Sequence, residues 1–534
     1  METLYLKAGE KGTAEKAAEI LKKGGTVAIP TETVYGLAAN ALDPSAVKKI
    51  FEAKGRPQDN PLIVHISSLE EVEPLVEKVD ERLYALAEKY WPGPLTVIMK
   101  KSSLIPDEVC AGLDTVAIRM PSNEMARAII KQCGFPLAAP SANTSGKPSP
   151  TRAEHVRSDL DGKIDAVVDG GKCEVGVEST VITLALEPPM LLRPGGITPE
   201  QLEDVLGEIS LSPAVLNKLA DGEKPQSPGM KYKHYAPEVP VTIIKSDFET
   251  FEKFLKAHNE KICAVCFEGE GKNFEHYIEY GKSGDSSTQA AELFDALRKV
   301  DETGCSRAFV RCPNPEGVGL AVYNRLLRSA AFKVLDLDFN IPVYGLTGQT
   351  GSGKTTVGEL LEKYGCKVID TDKIAHSVLE IPTVIKALCD EFGEDILQSG
   401  KINRRALASR AFENEDSTLK LNEITHPEIT LITLKEIRQA EDGGFKSAVI
   451  DAPVLFESPL KTLCKKVICV TAGSDTRLKR IIARDGISIE EAKKRMNAQK
   501  SSEYYIENSD IVIENDDIEQ TKLQIEKLFR ERLI

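Results

Sequence analysis

Residues 343–356 read VYGLTGQTGSGKTT, and within them Gly348, Gly353, Lys354 and Thr355 complete the pattern G-x-x-x-x-G-K-[ST]. Glycines in such a loop let successive backbone N–H groups turn inward around phosphate oxygens. The lysine reaches the β and γ phosphates, and the threonine hydroxyl can hold Mg²⁺. The stretch therefore predicts a nucleoside triphosphate site.

The segments on both sides of the loop supply the context that this pattern needs. Val343–Thr347 is an apolar strand candidate, and Thr356–Tyr364 has apolar residues at helical spacing. Lys354 is predicted to act in catalysis and Thr355 to hold the metal ion. The residues predicted to bind ATP here are Gly348, Gly351, Ser352, Gly353, Lys354, Thr355 and Thr356.

The chain is long for one domain, because some 340 of its 534 residues precede the loop. It is 41% hydrophobic and 28% charged, with a net charge of −14. An acidic chain argues against stable nucleic-acid binding and against anionic membranes. The sequence contains no apolar run of membrane-spanning length, and its first residues lack the apolar core of a signal peptide. We expect a cytoplasmic protein.

Two breaks in periodicity divide the chain. Residues 207–240 are rich in proline near their end, and a shorter join precedes the loop. The predicted domains are 1–206, 241–337 and 341–534, with 207–240 as a linker or lid. The middle segment alternates strand-like runs such as VTIIK, ICAVCF and RAFVRC with helix-like ones such as 287–300, which indicates a small α/β domain.

Eleven cysteines are scattered along the sequence without the spacing of metal ligands. Cys263 and Cys266 form the only C-x-x-C, within a run that alternates like a buried strand. We predict that both pack in a core and remain thiols.

The last segment alternates strands and helices as a doubly wound kinase does. Its strand candidates are VYGLT, KVID, SAVID, KKVICV and IVIEN. KVID ends at Asp370, two residues before Asp372, and SAVID ends at Asp451. Because ligands of open parallel sheets gather at the carboxyl ends of strands, these carboxylates are predicted to lie near the phosphates. The arginines between residues 477 and 495 are predicted either to form a lid over transferring phosphate or to lie on a solvated helix face: Arg477, Arg480, Arg484 and Arg495.

This last segment resembles the dephospho-CoA kinase family over about 190 residues. The resemblance is carried by the phosphate loop and by DTDKIAH at 370–376, NRRALA at 403–408, LNEITHP at 421–427 and DAPVLFE at 451–457. It implies transfer of the ATP γ-phosphoryl group to the ribose 3′-hydroxyl of dephospho-CoA, with Asp370 as catalytic base or metal organiser. For His426, we favour a structural role at a helix start over catalysis.

The first 206 residues contain no nucleophile motif and no metal-spaced set of histidines or cysteines. Instead they bring hydroxyls, prolines, glycines and basic residues into loop-like stretches: PTETVYGL (30–37), KGRPQDNPL (54–62), AIRMP (117–121), APSANTSGKPSP (139–150), VESTV (177–181) and LLRPGG (191–196). Each stretch alone is typical of a surface turn.

Together and in order, these stretches resemble the L-threonylcarbamoyladenylate synthase family in its long form, and the resemblance covers residues 1 to about 335. It is supported by PGMKYKHYAP at 228–237 and NPEGVGLAVYNRLLRSA at 314–330. It implies a YrdC-like α/β domain and a small Rossmann-like α/β domain, followed here by the P-loop kinase domain with its parallel sheet. Both active sites would use ATP as substrate, with Mg²⁺ as cofactor.

The synthase family condenses L-threonine, bicarbonate and ATP into threonylcarbamoyl-AMP and diphosphate. The substrates are anionic, and Lys54, Arg56, Arg119 and Arg193 could neutralise them. Lys54 and Arg56 are predicted to be catalytic. The resemblance implies a threonine site at Thr33, His65, Arg119, Ala139 and Ser179. It implies an ATP site at Arg56, Asn60, Thr115, Ser141, Ser149, Arg193 and Tyr235.

The linker stretch Ser227–Pro237 is too aromatic and basic for a plain spacer, which would favour Gly and Ser. We predict that it covers the first site as a lid with Tyr235 near ATP; packing on a domain edge is the alternative. His65 could also be a buried histidine of the core.

Two other functions stay open from the residues alone. The kinase segment could act on another small acceptor such as a nucleoside monophosphate. The first domain could be a non-catalytic RNA-binding module. The family resemblance instead implies a product passed to a tRNA threonylcarbamoyl transferase complex.

Overall fold

The computed structural model describes residues 2–217, 235–258 and 260–534. The chain divides into two compact units. The first comprises Met1–Ile244 and Glu260–Val334, and the second comprises Lys245–Asn259 and Leu335–Ile534. The first unit thus contains the predicted first domain and most of the predicted small domain, whose boundaries remain predictions.

Residues 2–217 form an eleven-stranded sheet with helices packed on it, in the order β1-β8-β2-β3-β7-β4-β6-β5-β9-β10-β11. Its strands are β1 Leu4–Lys7, β2 Val27–Ile29, β3 Gly36–Asn40, β4 Ile63–His65, β5 Leu95–Lys100, β6 Thr115–Arg119, β7 Leu137–Ala138, β8 Ala166–Asp169, β9 Thr180–Thr183, β10 Met190–Arg193 and β11 Ser210–Leu211. Its helices are α1 Thr13–Lys22, α2 Pro44–Lys54, α3 Arg82–Tyr90, α4 Asp107–Cys110, α5 Glu124–Cys133, α6 Ala153–Leu160 and α7 Pro199–Leu206.

The register of this sheet brings distant polar residues together. Strands β4 and β6 are parallel, so that His65 lies directly beside Arg119. Strand β5 runs antiparallel to β6 and places Thr96 on the other side of Arg119. Helix α2 begins at Asp43, whose carboxylate accepts a hydrogen bond from the Ser45 backbone N–H at 2.9 Å, and its last residue is Lys54.

Residues 241–336 form the predicted small α/β fold, a five-stranded sheet in the order β14-β13-β15-β12-β16. Its strands are β12 Val241–Lys245, β13 Ile262–Cys266, β14 Tyr277–Glu279, β15 Arg307–Arg311 and β16 Val334–Asp336, and its helices are α8 Phe248–Lys256, α9 Ser286–Val300 and α10 Val318–Ser329. The three predicted strands and the predicted helix are all found. Cys263 and Cys266 are buried free thiols in β13, and burial raises the pKa of each to about 12.

The second unit contains a five-stranded parallel sheet in the order β18-β21-β17-β22-β23, together with a two-stranded β19-β20 ribbon. Its strands are β17 Val343–Thr347, β18 Cys366–Asp370, β19 Leu397–Gln398, β20 Lys401–Ile402, β21 Ser447–Asp451, β22 Lys466–Thr471 and β23 Ile511–Glu514. Its further helices are α11 Lys354–Glu362, α12 Thr371–Val378, α13 Pro382–Phe392, α14 Arg404–Ala411, α15 Glu415–Asp442, α16 Ser474–Asp485, α17 Ile489–Asn497, α18 Ser502–Glu507 and α19 Ile518–Arg530. The doubly wound parallel arrangement is the one predicted.

One structural prediction was wrong. We expected His426 at a helix start, but helix α15 begins eleven residues earlier and continues through Pro427. Proline removes one backbone hydrogen bond and normally breaks a helix. Here α15 packs against α12, α13 and β21, and this burial outweighs the lost bond.

The described helices also bear on membrane insertion. Across the residues that the structure describes, every helix is too short or too polar to traverse a bilayer.

Candidate active sites

We call residues 348–356 the phosphate-loop site. The loop lies between β17 and α11, and α11 begins at Lys354, two residues before the predicted helix start. Gly353 caps this helix with φ +92°, a conformation that favours glycine. A side chain there would also place its Cβ 2.1 Å from Asn515 Nδ2. The backbone N–H groups at the start of α11 have no capping side chain, as an anion site requires.

Three side chains that follow β22 in the sequence donate hydrogen bonds to backbone carbonyls of this loop. Arg480 donates hydrogen bonds to the Ser352 carbonyl at 3.1 Å and to the Asn515 carbonyl at 2.8 Å. Asn515 Nδ2 donates to the Ser352 carbonyl at 2.9 Å. Arg477 Nε donates to the Thr350 carbonyl at 3.0 Å. These bonds occupy carbonyl groups of the loop and none of its N–H groups. Within the loop, the Thr350 N–H donates to Gln499 Oε1 at 2.8 Å and the Ser352 N–H donates to the Gln349 carbonyl at 3.1 Å.

Of the four arginines predicted to form a lid or a solvated helix face, Arg477 and Arg480 instead contact the phosphate loop. Arg477 is buried and Arg480 is partly buried against the loop, so neither lies on a solvated helix face. Arg484 and Arg495 both bond to Asp485, at 2.7 Å from Arg484 Nε and 2.7 Å from Arg495 Nη1, and both side chains are exposed. A lid role stays a prediction for this second pair.

Two aspartates meet at the carboxyl edge of the parallel sheet. Asp370 and Asp451 end adjacent strands and lie opposite each other in the register. Asp370 caps α12, accepting from the Lys373 N–H at 3.0 Å. Asp451 Oδ1 is buried and has no hydrogen-bond partner among the described residues. Burial raises the pKa of Asp451 to about 6, against the opposing effect of the Lys354 ammonium.

These groups fit a bound Mg²⁺. No cluster of three or more His, Cys, Asp or Glu side chains in the described part of the chain forms a complete metal site. Mg²⁺ in phosphoryl-transfer enzymes takes only one or two protein ligands and shares the rest with water and phosphate oxygens. The unpartnered Asp451 oxygen and the Thr355 hydroxyl supply the oxygen ligands that Mg²⁺ prefers. When bound, the ion would neutralise charge on the phosphates.

The second site is a pocket that we call the first-unit cleft. It is lined by Thr31, Thr33, Val34, Gly36, Arg56, Ile63, His65, Arg119, Ala139, Pro140, Ser141, Glu178, Ser179, Arg193 and Tyr235. All five predicted threonine-site residues are in this lining. From the predicted ATP site it contains Arg56, Ser141, Arg193 and Tyr235.

Arg119 and His65 form one wall of the first-unit cleft. Arg119 Nη2 pairs with Glu32 Oε1 at 2.7 Å, and both side chains are buried. His65 Nδ1 lies 3.1 Å from the Ile63 carbonyl, so it must carry the proton and donate. Burial and the neighbouring Arg119 charge lower the pKa of His65 to about 3, which keeps the ring neutral. Its Nε2 can therefore accept a hydrogen bond from a hydroxyl group.

Ser179, which precedes β9, and Arg193, the last residue of β10, also line the cleft. Arg193 donates to the Ser179 carbonyl and hydroxyl, each at 3.1 Å. Ser179 Oγ also lies 2.7 Å from Thr96 Oγ1. Burial and the nearby Arg325 charge lower the pKa of Arg193 to about 10, and the group stays cationic at neutral pH. The cleft thus presents fixed cations to an anionic ligand.

Four predicted residues lie outside the lining. Lys54 is buried and donates to the carbonyls of Ser141 and Asn143, the latter at 2.7 Å, so it orients the loop that carries Ser141. Ser149 donates to Glu178. Asn60 is buried, and its Oδ1 has no hydrogen-bond partner in the part of the chain that the structure describes. Thr115 begins β6, about 13 Å along the strand from Arg119.

Two acidic residues were absent from the predicted site: Glu178, which lines the cleft, and Glu32, which pairs with the lining residue Arg119. Both stand within quoted motifs, and each is a carboxylate surrounded by residues that prove to be buried. A buried carboxylate requires a paired cation, so a single acid among the uncharged residues of a loop motif is a signal that sequence inspection could have used.

Tyr235 reaches the cleft from the linker. It is buried, has φ +62°, and its ring centre lies 5.1 Å from that of Phe294. The neighbouring Ala236 N–H donates to the Gly146 carbonyl at 3.0 Å. Most of the predicted lid, residues 227–234, lies outside the described residues.

We expect His65→Gln to make the free energy of unfolding depend less steeply on pH below pH 6.5. The folded pKa of His65 is about 3 and the reference value is 6.5. As pH falls below 6.5, the unfolded chain takes up a proton that the folded chain cannot, so stability falls by about 1.4 kcal/mol per pH unit until about pH 3. Urea unfolding of the first unit at pH 7.5, 6 and 5 measures this slope. His276→Gln, at a partly exposed histidine, is the control; equal slopes in both variants would contradict the expectation.

The fold and the two sites define the class of protein to which each part of the chain corresponds. A doubly wound parallel sheet with a phosphate loop and carboxylates at its carboxyl edge is that of a P-loop phosphotransferase. The first-unit cleft, which three arginines line, belongs to a separate α/β fold.

Family models match three stretches of the chain. Residues 19–195 match a model described as telomere recombination, residues 197–331 match the threonylcarbamoyl-AMP synthase C-terminal domain, and residues 342–520 match dephospho-CoA kinase. The chain belongs to the threonylcarbamoyl-AMP synthase family through its first three fifths and to the dephospho-CoA kinase family through its last third. It is an enzyme with two activities.

Individual relatives agree with this division. The threonylcarbamoyl-AMP synthase of Pyrococcus abyssi is 47% identical over 324 residues, which are 60% of this chain and 94% of the relative. A dephospho-CoA kinase of Corynebacterium efficiens is 38% identical over 192 residues, which are 35% of this chain and 96% of the relative. A crystal structure of Pyrococcus abyssi Sua5 complexed with L-threonine superposes with a TM-score of 0.59 at 43% identity, covering 63% of this chain and 99% of that one.

Proposed function

We propose that the first-unit cleft condenses L-threonine, bicarbonate and ATP into threonylcarbamoyl-AMP and diphosphate. The observation that carries this proposal is the convergence of Arg56, Arg119 and Arg193 on one cleft beside the neutral imidazole of His65. Three anionic groups need such a set of cations: the threonine carboxylate, the carbamate and the triphosphate. The product would pass to a tRNA threonylcarbamoyl transferase complex for tRNA modification.

Each group in the cleft has a separate task in this reaction. Arg119, fixed by Glu32, binds the threonine carboxylate, and His65 Nε2 accepts a hydrogen bond from the threonine hydroxyl. The threonine nitrogen attacks the carbon of bicarbonate, a C–O bond breaks, and loss of water gives the carbamate. A carbamate oxygen then attacks the α-phosphorus and diphosphate leaves, so no enzyme nucleophile is required. Arg56 and Arg193 stabilise the charge that develops on the phosphates.

For the second unit, we propose transfer of the ATP γ-phosphoryl group to the 3′-hydroxyl of dephospho-CoA, giving CoA. Lys354 contacts the β and γ phosphates, and Asp370 accepts the proton of the acceptor hydroxyl. Thr355 and Asp451 would hold Mg²⁺. The placement of Asp370 and Asp451 side by side at the sheet edge next to the phosphate loop supports these roles.

ATP consumption with each substrate set tests both proposals. We expect diphosphate release that requires threonine and bicarbonate together, and ADP formation that requires dephospho-CoA. A panel of nucleoside monophosphates tests the alternative acceptor for the second unit. Diphosphate release that ignored threonine, or ADP formation with a nucleoside monophosphate in preference to dephospho-CoA, would refute the corresponding proposal.

A further inference from the structure

Helix α10 has an unusual polar and buried face. Asn324, Arg325 and Arg328 are exposed by 2%, 0% and 5%. Arginine is almost never fully buried without a paired charge. The three side chains donate to groups in residues 178–215, outside the small α/β fold that contains α10. This helix therefore contributes side chains to the domain that holds the first-unit cleft.

Arg325 makes the contacts nearest to that cleft. Its Nε donates to Glu178 Oε2 at 2.9 Å, and its Nη2 donates to the Glu178 carbonyl at 3.2 Å. Its Nη1 donates to the Pro194 carbonyl at 2.6 Å. Glu178 lines the cleft. One guanidinium thus connects the segment before β9 with the segment after β10.

These two segments carry the residues proposed to contact substrate. Ser179 follows Glu178, and Arg193 precedes Pro194. The segments are tightly packed, since a Cβ on Gly195 would lie 2.2 Å from the Thr180 nitrogen. A change in the position of either segment would therefore move Ser179 and Arg193 relative to each other.

The positive charge of Arg325 also affects the ionisation of Glu178. Although burial favours the protonated acid, the Arg325 and Arg193 charges hold the pKa of Glu178 below its usual value. Glu178 is therefore a buried carboxylate that is hydrogen-bonded to Arg325 and lies within the electrostatic influence of Arg193. Without Arg325, Arg193 would be the principal remaining cation near Glu178, and pairing with it would draw Arg193 away from a phosphate ligand.

We propose that Arg325, supplied by the small α/β domain, is a positioning residue of the first active site, which neutralises Glu178 and so keeps Arg193 available to the ATP phosphates. The inference rests on the proposed function of the first-unit cleft. It assigns the small domain a part in nucleotide binding that acts through Glu178 and Arg193.

The test compares variants of the full chain by steady-state diphosphate release with varied ATP. We expect Arg325→Met to raise the KM for ATP about tenfold or more, with a smaller change in kcat. The double variant Arg325→Met, Glu178→Gln should recover much of this loss, because the neutral amide no longer competes for Arg193. A merely structural role for Arg325 would not be relieved by that second change.

Arg298→Met is the matched control. Arg298 is a partly buried arginine of the small domain that pairs with the buried Asp159 at 2.8 Å and donates to the Pro148 carbonyl, and neither partner belongs to the cleft lining. We expect its KM for ATP to stay unchanged. Arg325→Lys keeps the charge and covers the case in which Arg325→Met does not fold; its KM should rise about threefold or more.

An unchanged KM in folded Arg325→Met or Arg325→Lys would overturn the inference. An equal rise in Arg298→Met would also overturn it, because the effect would then come from domain packing in general. If the unsubstituted chain released no diphosphate with threonine, bicarbonate and ATP, the proposed function itself would fail. The two failures are therefore distinguishable.

Discussion

Lys354→Ala is expected to depress dephospho-CoA phosphorylation by about a hundredfold or more, while threonine-dependent diphosphate release continues. The ammonium of Lys354 is the cation that the phosphate loop directs at the β and γ phosphates, and no covalent step can compensate for its loss. Arg56→Ala should have the opposite effect, because Arg56 lines the first-unit cleft. Parallel assays of ADP and diphosphate formation on each variant measure both outcomes.

Lys363→Ala is the matched control for this experiment. Lys363 caps the C-terminal end of the same helix and is exposed, so its loss should leave both rates unchanged. If either Lys354→Ala or Arg56→Ala abolished both activities in a folded protein, the assignment of two separate sites would be wrong.

Asp451→Asn should lower phosphorylation of dephospho-CoA by about a hundredfold or more and at the same time stabilise the second unit. The Asp451 carboxylate is buried, has an unpartnered oxygen among the described residues, and lies near the charges of Asp370 and Asp372. Its pKa of about 6, against 3.8 in solution, means that the ionised form is disfavoured in the fold. At pH 7.5 the neutral amide removes this cost, and the free energy of unfolding should rise by about 2 kcal/mol.

Thermal and urea unfolding of the second unit, with and without Mg²⁺, measure this gain. In the substituted chain, Mg²⁺ with ATP should stabilise the fold less than it does in the natural chain, since a proposed ligand of the ion is gone. Asp442→Asn changes an exposed aspartate at the end of α15 and should alter neither stability nor rate. A loss of stability in Asp451→Asn would show that the carboxylate has partners that outweigh its burial.

Local patterns were sufficient for much of the second unit. The five predicted strands and the phosphate loop occur where their residues indicated, because a period-2 apolar run and a glycine-rich turn depend mainly on neighbours in the chain. The same holds for Asp370 and Asp451, since the end of a parallel strand fixes the edge of the sheet at which a residue lies. The helix start expected at His426 failed because long-range packing of α15 overcame a local signal from Pro427.

The first site required more than local pattern. Motifs in the chain identified Arg56, Arg119, His65 and Arg193 as candidates, and the family resemblance gave them roles. The tertiary structure alone put His65 beside Arg119, because that contact depends on the register of β4 with β6 across more than fifty residues.

The buried carboxylates of the first site show most clearly what the sequence predicts and what only the tertiary structure decides. Glu32 and Glu178 are ordinary acidic residues in the printed sequence, and Arg325 lies 147 positions from Glu178. From residue types and spacing one can predict which anions a chain could bind and which strands and loops carry the cations. Which charges neutralise one another is decided only on folding, because burial removes water and leaves each charge dependent on partners that the chain brings from far away.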